Sequence, residues 1–277
     1  MDAEKKKELQ KLALKIRIGE VEEFKALGFG HIGGSLSITD ALAVLYGAVM
    51  NVDPKNPQME DRDKLVCSKG HAGPAVYATL AIKGFFPYDD IKTLNVPGTN
   101  FPSHCDRTKT PGVDMTTGSL GQGTSLAVGM ALGDKLKGLN SRTFLFVGDG
   151  EADEGQVWEA AMFTAGKKVT NLVWLIDDNK KQLDGYTADI MPTQDFRAKF
   201  EAFGFDAVRI DGNDVEQLYE ALTAPIGDKP KAIIMDTVKG KGIKDVEETL
   251  SNHSMNMPTE TYDKWLAELK AELAAME

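Results

Sequence analysis

The fold is decided by residues 143–180, which read TFLFVGDGEADEGQVWEAAMFTAGKKVTNLVWLIDDNK. Two apolar runs rich in β-branched and aromatic residues, 143–147 and 171–176, flank a segment at 154–167 whose apolar residues recur at helical spacing. Two strands joined by a crossover helix lie parallel in one sheet. This stretch therefore predicts a βαβ unit.

The alternation continues towards the carboxyl terminus. Further strands are predicted at 206–210 and 231–235, and helices at 194–203 and 215–224. Continuously apolar strands are typical of parallel sheets that helices cover on both faces. We therefore predict an α/β fold, a doubly wound, mostly parallel sheet flanked by helices, with its ligand at the carboxyl ends of the strands.

The amino-terminal half is less regular. A first amphipathic helix is expected to end at the glycines that follow Leu27, and Ser37 or Thr39 is expected to cap a second helix. Residues 84–123 form a long Gly- and Pro-rich loop of the kind that proteins keep for a function. The remaining predicted elements are a strand at 64–67 and helices at 74–83 and 259–276. Since no linker separates these elements, we treat 1–277 as a single domain.

Composition excludes several classes of protein. The chain has 277 residues, 32 Lys and Arg against 42 Asp and Glu, a net charge of −10 and a hydrophobic fraction of 42%. These values are typical of a soluble, packed protein and disfavour nucleic acid or an anionic membrane as the main partner. Two cysteines, Cys67 and Cys105, cannot form a disulfide framework. Because the amino terminus lacks an apolar leader and no run of about 18 apolar residues occurs, we expect a cytoplasmic protein.

Polar residues follow both strands of the βαβ unit. Gly148-Asp149-Gly150 comes directly after the first strand, and Asn179 follows the second. The ends of neighbouring parallel strands lie about 4.8 Å apart, so the Asp and Asn side chains can bind one small cation. Oxygen ligands suit magnesium, which also binds phosphate oxygens, with calcium or manganese as substitutes. Because the glycines and the next helix amino terminus suit a diphosphate, we predict a metal-bridged diphosphate.

The segment from Gly148 to Lys180 resembles the thiamine diphosphate fingerprint, which begins with GDG and ends in an Asn-containing turn after the next strand. The resemblance implies a thiamine-diphosphate-binding fold. It also implies that magnesium is bound by the side chains of Asp149 and Asn179 and by the backbone carbonyl of Lys181.

Three further segments are similar to the amino-terminal half of transketolase and extend the resemblance over nearly the whole chain. They are GHIGG at 30–34, SKGH at 68–71 and TTGSLGQG at 116–123. His104 in the long loop and His253 after KGKG match two more family positions. The residues that the resemblance implies in cofactor binding are His71, Gly118, Ser119, Leu120, Gly148, Asp149, Gly150, Glu151, Asn179 and His253.

All the histidines of the chain occupy family active-site positions, namely His31, His71, His104 and His253. A lone histidine in a glycine-rich loop is more often a capping or hydrogen-bonding group than a catalyst. The resemblance implies that these four bind the hydroxyls of a donor sugar and support proton transfer. Imidazole suits the task because it titrates near neutral pH.

By resemblance, the chain takes part in the transfer of a two-carbon ketol unit from a ketose phosphate to an aldose phosphate. In this family a glutamate from a second, pyrimidine-binding domain activates the cofactor, and the chain offers no candidate for it. The chain is then either the amino-terminal subunit of a split transketolase or a fragment. We favour the first, with sugar phosphate substrates and a C-terminal partner subunit that supplies this glutamate in an α2β2 assembly.

Three turns depart from the family pattern. The proline of GHPGG is Ile32, GHP reads Ser103-His104-Cys105, and WHG reads NHS around His253. These departures keep open a split enzyme for an unusual ketose, such as a sulfonated or branched sugar phosphate. A 2-oxoacid dehydrogenase alpha-type subunit would share GDG and the Asn turn but lack the SxGH and LGQG segments. A non-catalytic cofactor-binding protein would need none of the histidines.

Four basic residues and one thiol are weaker candidates. Arg107 and Lys109 lie in the long loop, and Lys239 and Lys241 lie in VKGKG. Each could meet an anionic substrate group, although exposed basic residues are usually only solvated. Cys105 beside a histidine could suggest a nucleophile, but no Asn or Asp that would orient the pair is identified from spacing.

Overall fold

A parallel five-stranded sheet with helices on both faces forms the centre of the computed structural model, which describes residues 1–183 and 185–277. Short 3₁₀ turns and one π-helical turn lie between the main elements. In chain order these main elements are α1 (Ala3–Leu27), β1 (Phe29–Gly30), α2 (Ile32–Leu36), α3 (Thr39–Val44), β2 (Lys64–Cys67), α4 (Gly73–Lys83), α5 (Gln122–Lys137), β3 (Thr143–Gly148), α6 (Gly155–Gly166), β4 (Leu172–Asp178), β5 (Lys181–Gln182), β6 (Gly185–Tyr186), α7 (Thr187–Ile190), α8 (Phe196–Phe203), β7 (Asp206–Asp211), α9 (Val215–Thr223), β8 (Lys231–Asp236), α10 (Lys244–Glu248), β9 (Met255–Asn256) and α11 (Thr259–Ala275).

The sheet has the strand order β2-β3-β4-β8-β7, and every neighbouring pair is parallel. Gly148 at the end of β3 pairs with Asp177 near the end of β4. The predicted βαβ unit and the doubly wound α/β fold are therefore confirmed. The register also brings the GDG turn and the Asn turn to the same edge, as the spacing predicts.

Alternate side chains of the strands pack into two separate hydrophobic clusters, one on each face of the sheet. On one face Phe144 and Leu175 join a cluster that includes apolar residues of α3, α4 and α9. On the other face Leu145 and Trp174 pack with apolar residues of α5, α6 and α8. Because β3 and β4 are buried on both faces, their sequences are continuously apolar rather than alternating.

Helix α1 illustrates how local sequence sets the boundaries of an element. Asp2 caps its amino terminus by accepting a hydrogen bond from the Lys5 N–H at 2.7 Å. Gly28 ends it in the left-handed conformation, with a φ of 86°. The predicted end of this helix is therefore confirmed.

Two expectations for the amino-terminal half are wrong. Neither Ser37 nor Thr39 caps α3, which follows Ile38 with no capping side chain from the described part of the chain. The Ser37 hydroxyl donates to Asp177 and the Thr39 hydroxyl donates to Glu20, so both serve long-range contacts instead. Helix α5 is not apparent from the sequence, because its glycines and small residues weaken its helical periodicity.

A small antiparallel ladder lies apart from the main sheet. Phe29 and Gly30 of β1 pair with Asn256 and Met255 of β9, which joins the turn after α1 to the segment before α11. No helix within the described residues is both long enough and apolar enough to span a membrane.

Candidate active site

The carboxyl ends of strands β2, β3, β4 and β8 lead into one cleft with a volume of about 280 Å³. Every predicted site residue except Ser119 lines this cleft. Ser119 lies in the turn that leads into α5, where its carbonyl accepts a hydrogen bond from the Gln122 N–H at 3.2 Å. The lining residues that the sequence analysis did not assign to the site are Gly34, Lys69, Gln182, Leu183 and Lys239.

Asp149 lies where β3 ends, beside the end of β4. Its backbone N–H donates to the Asp177 carbonyl at 3.1 Å, and its Oδ1 accepts from the Gly150 N–H at 2.8 Å. Its Oδ2 is buried and has no hydrogen-bond partner among residues 1–183 and 185–277. Burial and the nearby Asp177 carboxylate raise the pKa of Asp149 to about 7. A carboxylate in this state is stabilised by a cation, so the site fits the predicted metal.

Asn179 and Lys181 present the other predicted oxygen ligands. The Asn179 Nδ2 donates to Asp177 at 2.8 Å, which fixes the amide, while its Oδ1 accepts from the Lys181 N–H at 3.1 Å. The Lys181 carbonyl accepts from the Lys239 Nζ at 3.0 Å. Across the described residues, no group of three His, Cys, Asp or Glu side chains could hold a metal alone. One carboxylate, one amide oxygen and one backbone carbonyl are the kind of oxygen ligands that fit magnesium, which completes its coordination with phosphate and water.

A buried ion pair under the cleft was not anticipated from the sequence. The Lys69 Nζ donates to Asp177 at 2.6 Å and to the Gly34 carbonyl at 2.6 Å. Burial opposes ionisation of Asp177, but the Lys69 charge and hydrogen bonds from Lys69, Thr237 and Ser37 prevail and lower its pKa. The only local signal was a charged residue at or close to the end of each of two apolar strands, Lys69 two residues after Cys67 and Asp177 directly after Ile176. This pair holds the ends of β2 and β4 in place below the cleft.

The Glu151 carboxylate forms hydrogen bonds with three segments of the chain at the bottom of the cleft. Its carboxylate accepts hydrogen bonds from the Ser68 hydroxyl, from the Gly121 N–H at 2.9 Å and from the Gly148 N–H at 3.1 Å. Both carboxylate oxygens are therefore already used within the protein. Glu151 therefore lines the cleft and also stabilises the positions of the segments around Ser68, Gly121 and Gly148.

Close backbone contact shapes the wall formed by the loop at 116–123. A Cβ on Gly70 would lie 2.7 Å from the Gly118 nitrogen, and Gly118 itself has a φ of 146°. A Cβ on Gly118 would lie 3.1 Å from the His104 ring. Glycine is needed at both positions because any side chain would separate the loop from β2 or displace the histidine.

The four histidines, which come from four different segments, meet in the cleft. The ring centroids of His71 and His253 are 4.7 Å apart, and those of His31 and His253 are 5.2 Å apart. The rings of His31 and His104 lie 5.5 Å apart. The sequence identified all four, although it could not show that their rings are neighbours.

Burial lowers the pKa of each of these imidazoles. Burial and the Lys239 charge lower the pKa of His253 to about 3, and burial with the Lys69 charge lowers that of His71 well below its usual value. Burial therefore favours the neutral form of these rings at pH 7. Each neutral ring offers one donor and one acceptor, which suits binding of sugar hydroxyls.

The weaker candidates differ in whether they line the cleft. Lys239 lines the cleft, and burial lowers its pKa to about 8. Arg107, Lys109 and Lys241 do not line the cleft. A hydrogen bond with Cys67 and burial raise the pKa of the Cys105 thiol well above its usual value, which disfavours Cys105 as a nucleophile.

Comparison with known proteins gives the same family as the motifs. Residues 9–269 match the family model described as the transketolase, thiamine diphosphate binding domain. The chain is 47% identical to the 6-deoxy-6-sulfo-D-fructose transketolase subunit SqwG of Clostridium sp. (strain MSTE9), over 98% of this chain and 99% of that protein. It is 38% identical to an apulose-4-phosphate transketolase subunit of Actinobacillus succinogenes, over 88% of each chain.

Solved structures agree with this assignment. Transketolase from Pichia stipitis in complex with sedoheptulose 7-phosphate superposes with a TM-score of 0.85 at 26% identity, covering 98% of this chain and 45% of that one. The chain spans slightly less than half the length of such full transketolases. The match of sequence, fold and cleft shows that the chain belongs to the transketolase family, as its thiamine diphosphate binding domain.

Proposed function

We propose that this chain is the diphosphate-binding subunit of a split transketolase, which moves a two-carbon ketol unit from a ketose phosphate to an aldose phosphate. One observation carries the proposal. Four imidazoles whose pKa values are lowered by burial line the same cleft as Asp149, Asn179 and Lys181. Binding of the cofactor alone would not need four imidazoles, whereas a polyhydroxylated substrate offers hydroxyl groups that the remaining imidazoles could bind.

The residues at the ends of β3 and β4 would hold magnesium and the diphosphate. Asp149 would bind the metal through its unpartnered Oδ2, Asn179 through its Oδ1 and Lys181 through its carbonyl. Gly148, where a Cβ would have no neighbour nearer than 3.6 Å, leaves room for the diphosphate, and His71, Gly118 and Leu120 line the same cleft. Thiamine diphosphate, when bound, supplies the carbanion that adds to the donor carbonyl and the electron sink for carbon–carbon cleavage.

The histidines would orient the donor sugar and hold or move the protons of its hydroxyls. The ring centroids of His104 and His253 lie 5.5 Å and 5.2 Å from that of His31, so the three rings could contact different hydroxyl groups of one sugar. A neutral ring can accept a hydrogen bond from one hydroxyl and donate one to another, which holds the hydroxyl protons in place as the carbon–carbon bond breaks. His71 lies deepest and would contact the cofactor.

A partner chain would complete the site on the outer side of α5 and α6. These two helices pack on the same face of the sheet and begin at the rim of the cleft. Their outward sides expose Leu126, Met162 and Phe163, and Met162 is 59% exposed. An apolar surface of this kind marks a protein interface. A C-terminal subunit seated there would reach the cleft, and two copies of each chain would form an α2β2 enzyme.

A ketose other than the common sugar phosphates is the second candidate substrate. The relative at 47% identity is named for a sulfonated ketose, and the relative at 38% identity is named for a branched one. The departures at Ile32, Ser103 and Cys105 occur in turns beside the histidines. This alternative changes the donor and keeps the reaction. A 2-oxoacid dehydrogenase alpha-type subunit is disfavoured because the chain matches the transketolase model instead.

The decisive experiment is co-expression of the chain with the product of the adjacent open reading frame, followed by a screen of donors and acceptors. The donors are fructose 6-phosphate, 6-deoxy-6-sulfofructose and apulose 4-phosphate, with magnesium and thiamine diphosphate present. Ketol transfer by the wild-type complex, and none by a matched complex that carries Asp149→Ala, supports the proposal. A stable complex that loads the cofactor and transfers no two-carbon unit from any donor would contradict it.

A further inference from the structure

Asn252 stands where the family pattern WHG has its tryptophan, and it lies at the crossing of two active-site segments. We infer that Asn252 is a positioning residue, which locks the loop that carries His253 onto the turn that carries His31. The inference rests on the proposed function for its catalytic consequence. Its structural basis is independent of the substrate.

The side chain of Asn252 is fully buried and organises its own loop. Its Nδ2 donates to the Lys239 carbonyl at 3.0 Å and to the Val246 carbonyl at 2.8 Å. A primary amide has two N–H donors, and both are used here on buried backbone acceptors. The amide thereby connects the segment after β8, helix α10 and the segment before β9.

The backbone of Asn252 makes the connection to the other loop. Its carbonyl accepts a hydrogen bond from the Gly33 N–H at 2.9 Å, and the Gly33 carbonyl accepts one from the Gly240 N–H at 3.0 Å. A Cβ on Gly33 would lie 2.5 Å from the Asn252 carbonyl oxygen and 3.0 Å from its Cγ. The two segments therefore meet so closely that Gly33 must be glycine.

Both histidines lie between two fixed crossings of these segments. The first crossing is the ladder pair of Gly30 with Met255, and the second is the bond of Gly33 to Asn252. His31 falls between Gly30 and Gly33, and His253 falls between Asn252 and Met255. The separation of their ring centroids, 5.2 Å, is consequently set by the two crossings.

The chemistry of the side chain explains why asparagine is required. An aspartate has the same shape, but its carboxylate lacks both N–H donors and would face two carbonyl oxygens. A tryptophan has a single N–H donor and could not satisfy both carbonyls from this position. Loss of the amide would release the loop, and displacement of a catalytic group by about 1 Å can cost about 100-fold in rate.

The test compares three variants of the full chain. Asn252→Asp removes the donors without changing the size of the side chain, and Gly33→Ala separates the two segments at the same contact. Asn171→Asp is the matched control, since its Nδ2 donates to the Ala131 carbonyl at 2.8 Å before β4, at the opposite end of the strand. The readouts are hydrogen exchange of peptides that cover 28–36 and 238–256, and the kcat/KM of the partner complex for its donor.

Asn252→Asp and Gly33→Ala should each accelerate exchange in 28–36 at least about tenfold and lower kcat/KM about 10- to 100-fold. The control should change neither quantity. Unchanged exchange in 28–36 for Asn252→Asp, or an equal loss of kcat/KM in the control, would overturn the inference. If the wild-type complex transfers no ketol unit, the proposed function fails, and the exchange measurement alone still decides whether Asn252 locks the two segments.

Discussion

Asp149 directly follows a fully buried strand. One of its two carboxylate oxygens accepts no hydrogen bond from the described residues. Its pKa of about 7 reflects burial and the nearby charge of Asp177. A folded chain tolerates such a group when a ligand supplies the missing charge, and functional sites concentrate groups of this kind. At the scale of single residues, Asp149 therefore fits the proposed cation.

Replacement of Asp149 by asparagine should affect stability and binding in opposite directions. Asp149→Asn removes a buried, unpartnered charge, so the unliganded chain should melt at a higher temperature at pH 7. It also removes an anionic ligand, so magnesium-dependent binding of thiamine diphosphate should weaken at least about tenfold. Thermal melts and a fluorescence titration measure the two effects. Asp153→Asn, at an exposed position nearby, is the control and should change neither, and full retention of cofactor affinity by Asp149→Asn would refute the metal assignment.

Glu23 on α1 is a second buried acid, remote from the metal-binding turn. It is fully buried, and neither carboxylate oxygen has a hydrogen-bond partner in the part of the chain that the structure describes. Burial and the nearby Glu20 raise the pKa of Glu23 well above its usual value. The folded-state pKa of Glu23 exceeds the unfolded value of about 4.3. The part of the free energy of unfolding that depends on protonated Glu23 is therefore fully present below about pH 4.3 and is lost as the pH rises through the folded-state pKa.

Glu23→Gln should therefore stabilise the chain increasingly as the pH rises above about 4.3. The expected gain is about 1.4 kcal/mol for each pH unit, until the folded-state pKa is passed. Denaturant unfolding at several pH values measures it. Glu8→Gln, at an exposed position on the same helix, should follow the wild-type profile. A constant difference between Glu23→Gln and wild type across the pH range would show that Glu23 is ionised in the folded chain.

At the scale of elements, α5 and α6 differ from the other helices that cover the sheet. Their inner sides carry core residues such as Ala127, Ala131 and Val157. Their outer sides also carry apolar residues, together with glycines such as Gly129 and Gly155 that have open space around them. A helix that faces water usually carries charge there. This composition supports the proposed contact with a partner subunit.

Met162→Glu should prevent assembly and leave the fold intact. Met162 is 59% exposed, so the substitution should change the free energy of unfolding by less than about 0.5 kcal/mol. A charge placed in an apolar interface should abolish co-purification with the partner and the ketol transfer of the complex. Val96→Glu, at a loop position that is 50% exposed, is the control and should assemble normally. Assembly of the Met162 variant at wild-type affinity would place the interface elsewhere.

At the scale of the whole molecule, the cleft is open on the side where Leu120 and Leu183 are exposed. Catalysis of this type requires a site closed to bulk water. The structure brings together in one cleft the residues that we propose for the diphosphate, the metal and the sugar. On this proposal a partner subunit activates the cofactor, and the chain forms one side of the active site.

The purified chain alone should fold cooperatively and transfer no ketol unit. Addition of the partner subunit should restore turnover, with activity that saturates at a one-to-one ratio of the two chains. A coupled assay of donor consumption against partner concentration measures this dependence. Turnover by the chain alone that Asp149→Ala abolishes would contradict the requirement for a partner, since that variant excludes a contaminating enzyme.

Much of the fold and the site follows from short stretches of sequence. Apolar runs of strand length determine β3 and β4 because a strand buried on both faces must be apolar throughout. Parallel pairing then places Asp149 and Asn179 at one edge. Helix α5 was missed because hydrophobic periodicity weakens when glycines and small residues pack a helix closely. The caps proposed at Ser37 and Thr39 failed because distant acids compete for their hydroxyls.

The sequence by itself determined the strands, the meeting of the Asp149 and Asn179 turns at one edge, and the identity of the histidines in the cleft, since each depends on residue type and local spacing. Only the tertiary structure decided that Lys69 pairs with Asp177, that the imidazoles are neutral, and that Asn252 joins two loops. The reason is physical. Ion pairing, desolvation and loop crossings arise between segments far apart in the chain, and their strength depends on burial that exists only after the chain has packed.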